Sequence, residues 1–168
     1  MEINEFKSEA IIVTVPGMDG VDRMLGYLER LIQQNSHSSR VKYKFIDAAM
    51  DLMEGLALED LPQTPNHRDT KYANFMIEVD EHEYNVRLGF VKALRMPNIY
   101  EMRINLRQFN WRFRATFFSK IYDGTVYYCI VDPFEKMIGQ KDPTDNCRDH
   151  TYHVSQTLTD EEFNKHIT

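Results

Sequence analysis

The chain has 168 residues, 42% of them hydrophobic and 12% aromatic, with 26 acidic against 20 basic side chains and a net charge of −6. This length fits one domain with a real core, and the composition excludes a disordered chain. A pI near 5.5 argues against a general nucleic-acid coat protein but leaves room for a local basic site.

No secretory h-region follows Met1, and the run AIIVTV lacks both the length and the basic flank of one. No apolar stretch approaches the roughly 20 residues of a membrane span. With two cysteines, Cys129 and Cys147, a cytoplasmic, reduced protein without membrane association is expected.

In chain order, residues 9–15 (EAIIVTV) read as a strand closed by Pro16-Gly17. Asp19 reads as an N-cap, followed by Val21, Met24, Leu25, Leu28, Leu31 and Ile32 at helical spacing. The polar stretch 33–39 (QQNSHSS) breaks this helix. A second begins near Ser39, with Val41, Phe45, Ala48, Ala49, Leu52, Met53 and Leu56 on one face. Together they predict a helical hairpin laid on a sheet. Residues 57–70 carry two prolines and no sustained period, which predicts a loop. Residues 73–79 and 83–90 suggest an extra hairpin. Three further strands follow at 99–106, 111–119 and 125–132, the last two joined through the turn signal Asp123-Gly124. The tail reads as a loop with Pro143 and a short helix capped by Thr159, where Thr159 to Glu162 fits a capping box.

Between residues 91 and 120, Lys92, Arg95, Arg103, Arg107, Arg112, Arg114 and Lys120 face the single acid Glu101. Such a concentration is the footprint of a polyanion-binding face, although arginines on a strand also serve simply to solvate a sheet. Alternation along the strands assigns Trp111, Phe113, Ala115 and Phe117 to the face under the helices. It sends Glu101, Arg103, Arg112 and Arg114 to the opposite, uncovered face. Arginine's planar fork suits phosphate oxygens. A carboxylate among guanidiniums is either their charge partner, the commoner case, or a general base.

The segments Ile99-Tyr100-Glu101-Met102-Arg103-Ile104, Trp111-Arg112-Phe113-Arg114-Ala115-Thr116-Phe117-Phe118, and Val126 to Val131 followed by Phe134-Glu135-Lys136 carry a family likeness. With the lead-in VKALRMPN, they resemble in order and spacing the RelE/ParE toxin superfamily, most closely its HigB-like, phage-derived branch. The resemblance covers about a third of the chain. It implies an α+β domain over 1–168, a small antiparallel-rich twisted sheet on an N-terminal helical hairpin, with an insertion over 57–90 and a C-terminal extension over 137–168. It also implies a toxin of a type II toxin–antitoxin system, a metal-independent and cofactor-free endoribonuclease cleaving mRNA on the ribosome and restrained by an antitoxin. By position, Arg112 would stabilise the transition-state phosphate with help from Arg103, Glu101 would be the base, and Lys136 would complete the catalytic set. Arg114, Lys92, Arg95 and Arg107 would bind RNA. The general acid would come from the stretch Asp149-His150-Thr151-Tyr152-His153.

Relatives of this kind are usually smaller and basic, so a non-catalytic, prophage-derived member of the fold stays open. Such a protein would dock a protein or nucleic acid on its basic face. Cys147, His150 and His153 do not follow a recognised zinc pattern, and no metal site is expected.

Overall fold

The structure, a computed structural model, describes residues 8–168, and its β-branched opening run forms strand β1 (Ile11–Thr14). Helices α1 (Arg23–Gln34) and α2 (His37–Glu54) follow. Helix α1 begins later than its hydrophobic spacing suggests. Its cap is Asp22, whose carboxylate accepts from the Leu25 amide at 3.0 Å and from the Thr14 hydroxyl at 2.6 Å. Asp19 instead pairs with Arg23 at 2.7 Å, too far up the loop to reach the first unpaired helix amides. The break between the helices is only Asn35, in left-handed backbone (φ 45°), and Ser36. Ser36 and Ser39 then bond each other's backbone amides reciprocally, as a capping box does.

The five remaining strands are β2 (Lys71–Val79), β3 (His82–Ala93), β4 (Ile99–Leu106), β5 (Trp111–Tyr122) and β6 (Thr125–Glu135). The turns Asp80-Glu81 and Asp123-Gly124 have positive φ at both central residues, which matches the twist of the strands they join. Helices α3 (Thr144–Thr157) and α4 (Asp160–Ile167) end the chain. Among the described residues, the six strands form one curled mixed sheet in the order β1-β6-β5-β4-β3-β2, with β1 parallel to β6 and every other pair antiparallel. The fold is α+β. Among the described residues, no helix is long and apolar enough to cross a membrane.

The alternation read from the sequence holds on the first face. Trp111, Phe113, Ala115 and Phe117 are buried with Met102 and Ile104 against Val41, Phe45, Ala49 and Met53 of α2. The second face is not left open, as expected, along its whole width. Val15, Ile99, Phe118, Cys129 and Val131 form a second core there with Val154 of α3 and Phe163 of α4. Residues 71–90, the later part of the stretch 57–90 read as an insertion, extend the sheet by its edge strand β2 and much of β3.

Helix α3 escaped the sequence reading for a physical reason. The residues it buries are Thr151 and Val154, and much of what holds it down is polar. The Thr151 hydroxyl lies 2.6 Å from that of Thr116 and donates to Asp132 at 2.9 Å, so a search for apolar periodicity passes over it. A bulge in β6 makes this possible. Thr116 pairs with Asp132 and Phe117 with Ile130, so Val131 and Asp132 both turn toward α3.

Candidate functional site

The strand alternation that buries Met102 and Phe113 on one face sends Glu101, Arg103 and Asn105 of β4, and Arg112, Arg114 and Thr116 of β5, to the other. Register sets Lys92 opposite Glu101, Arg103 opposite Arg114, and Asn105 opposite Arg112. Six of the residues expected to act together thus share one surface: Glu101, Arg103, Arg112, Arg114, Lys92 and, through a backbone bond, Lys136. The Lys136 amide donates to the Arg112 carbonyl at 2.9 Å, which holds the end of β6 beside Arg112.

The centre of the surface is a buried charge cluster. Glu101 is 2% exposed and Arg114 3%, while Arg103 is half-buried. Glu101 Oε1 lies 3.3 Å from Nε of both Arg103 and Arg114. Neither contact has hydrogen-bond alignment, and Glu101 Oε2 has no partner among the described residues. Burial raises the Glu101 pKa, with Arg114 and then Arg103 opposing it. Burial, followed by repulsion from Arg103, brings Arg114 down to about 10. Arg114 is oriented by Nη1, which donates at 2.8 Å to both Asn105 Oδ1 and the Phe113 carbonyl. In both groups desolvation outweighs the attraction of the opposite charge. Buried between two guanidiniums, Glu101 has the setting of a counter-charge and little exposure to a substrate hydroxyl.

Around this cluster the surface opens. A groove of about 490 Å³ is lined by Arg107, Asn110, Arg112, Arg114 and Lys136, with Asn105, Leu106 and Trp111 completing it. No carboxylate lines it. Among the described residues, Arg107 and Arg112 have no acidic partner within ion-pair distance, while Lys136 lies 3.3 Å from Asp142. A second cleft of about 440 Å³ shares Asn105 and Arg107 with the first and continues over β3 and β2 past Arg103, Arg87 and Tyr72. One more two-residue step of the alternation reaches Asn105 from Arg103. Arg87 and Tyr72 lie outside the basic block of residues 91–120, and only the pairing of β2 with β3 brings them into the cleft.

Arg95 and Lys120 fall elsewhere, and Lys92 takes the margin of the cluster. Arg95 is exposed in the turn before β4, at the opposite end of that strand from Arg107, about 27 Å away along eight residues. Lys92 is half-buried beside Glu101, its pKa lowered by burial and then by Arg103. Lys120, part of the same charge block, is taken up by Asp160 at 2.7 Å and lies over the Phe163 ring.

The stretch expected to supply an acid is also committed. His150 Nδ1 lies 2.7 and 2.9 Å from the two oxygens of Asp132. Its Nε2 accepts from the Met18 amide at 3.1 Å. The amide can only donate, so the imidazole proton sits on Nδ1, and neither nitrogen faces the groove. His153 is exposed on α3 with its ring beside Tyr152. Cys147 has its thiol pushed up to about 12 by burial and then by Asp132. Among the described residues, no three His, Cys, Asp or Glu side chains converge as metal ligands.

No family model, curated protein or solved structure matches this chain.

Proposed function

We propose that this chain binds RNA by its sugar–phosphate backbone, along the groove between Arg107, Arg112, Arg114 and Lys136. One observation carries the reading: Arg107, Arg112 and Lys136 reach the surface of one open groove that no carboxylate lines, with the buried Arg114 adding its charge from beneath, in a chain whose net charge is negative. Guanidiniums free of an acidic partner offer phosphate oxygens paired donors, and an acidic remainder limits indiscriminate binding elsewhere. Of the two forms the likeness to RelE/HigB toxins suggests, the non-catalytic RNA-binding form is favoured. A 2% exposed Glu101 is a poor base for a ribose hydroxyl.

The second form, a metal-independent endoribonuclease toxin acting on ribosome-bound mRNA and covered by an antitoxin, draws support from the pairing of Arg112 with Lys136. Two adjacent cations suit the charge of a pentacoordinate phosphate.

Fluorescence anisotropy with single-stranded RNA across a salt series tests the binding reading. Affinity should fall steeply with salt, and Arg112→Ala should lower the slope by about one. Absence of binding at low salt overturns it. Expression in bacteria tests the toxin form: arrest relieved by Arg112→Ala, with fragmented mRNA, supports cleavage, and harmless high expression overturns it.

A further inference from the structure

We propose that the open part of the sheet over β2, β3 and β4 is a base-stacking platform, so that the groove selects single-stranded RNA. This rests on the RNA-backbone reading and adds what the bases would contact. Tyr72, 50% exposed, lies opposite Gly89 in the β2–β3 register. A Cβ at residue 89 would stand 2.8 Å from Thr70 Cγ2 and 3.1 Å from Tyr72 Cε1, so glycine is what admits the ring this close to β3. The Arg87 guanidinium sits over the same ring, 5.4 Å from its centroid. The result is an exposed layer of one aromatic and one guanidinium plane.

That layer lines the cleft that also contains Arg103 and Arg107, and it shares Asn105 and Arg107 with the Arg112 groove. From β2 to β5 is three strand spacings, about 14 Å, so a short oligomer spans both. Phosphate recognition alone has no use for aromatic planes. Unstacked bases do, since they lie on aromatic rings and arginine planes, whereas a duplex keeps its bases paired inside. Charge also sets the direction of the strand. Glu78 and Glu83 face each other near the β2–β3 turn and end the cationic stretch there. The oligomer therefore crosses the strands from Tyr72 toward Arg112 instead of following the hairpin to its tip.

The test compares three probes by anisotropy: a single-stranded RNA of about ten nucleotides, an abasic oligomer of the same length, and the matching duplex. The wild type should bind the single strand roughly tenfold more tightly than either other probe, the order of one stacked base. Tyr72→Ala should remove that preference and leave abasic affinity unchanged, while Tyr72→Phe retains it. Equal wild-type affinity for the ordinary and abasic strands overturns the platform and needs no variant. If both are also weakened by Arg112→Ala, the groove reading survives that failure. If none of the probes binds, both readings fall together.

Discussion

The amide of Met18 donates to Nε2 of His150 across a separation of 132 residues, fastening the loop after β1 to helix α3. The opposite ring nitrogen holds Asp132, which is 4% exposed. Replacing His150 by Ala leaves that buried carboxylate with Thr151 as its remaining side-chain partner. The expected loss is about 1–3 kcal/mol in urea denaturation. RNA affinity should stay unchanged, because the pair faces away from the groove. A fall in affinity at full stability would instead place His150 in the site.

Asp142 lies 3.3 Å from Lys136, and both side chains are partly exposed. The carboxylate is held ionised first by the Thr144 hydroxyl, so at neutral pH it competes with any phosphate for that lysine. Asp142→Asn should raise RNA affinity about two- to fivefold at low salt, the worth of one surface ion pair. The gain should shrink as salt rises.

Asp80 is held at about 2, against an ordinary 3.8, by hydrogen bonds from Arg40 and then His37. Its folded pKa is depressed, so its contribution to stability is complete above about pH 4 and disappears as pH falls through 2. Asp80→Asn should therefore lower the melting temperature at pH 5–6 and match the wild type near pH 2. A constant difference across that range would show that the carboxylate's charge is not the cause.

Burial pushes both thiols, Cys129 and Cys147, up to about 12. At pH 8 the thiolate is then scarce, and iodoacetamide labelling of the native protein should run about 100- to 1000-fold slower than in denaturant. Fast native labelling of Cys147 would show that α3 opens readily.

How far the sequence carried depended on what held each element. The alternation of Trp111, Phe113, Ala115 and Phe117 against Arg112 and Arg114 was legible because apolar packing drives it, and the core follows it. The Asp123-Gly124 turn was legible because few residues accept two left-handed positions. Helix α3 was not, since Thr151 and His150 hold it through hydroxyl and imidazole bonds that leave no hydrophobic period. Nor was the enclosure of Glu101. Periodicity tells which side of a strand a carboxylate takes, but its depth depends on how Arg103 and Arg114 close over it. Tyr72 needed the register with Gly89, a relation between strands that no single stretch of sequence carries.

The parallel pairing of β1 with β6 sets an order of events during synthesis. Ile11 finds its partner Tyr127 about 116 residues later in the chain. At roughly 5–20 residues per second, β1 leaves the ribosome several seconds before the strand it joins. The antiparallel run from β2 to β6 can assemble from neighbouring segments, whereas β1 must wait and then close the longest loop in the sheet. Pulsed hydrogen exchange during refolding should accordingly show the amides of residues 11–14 protected last. The Met18–His150 bond would form with that closure, so the nascent sheet would already present its arginines before its first strand is in place.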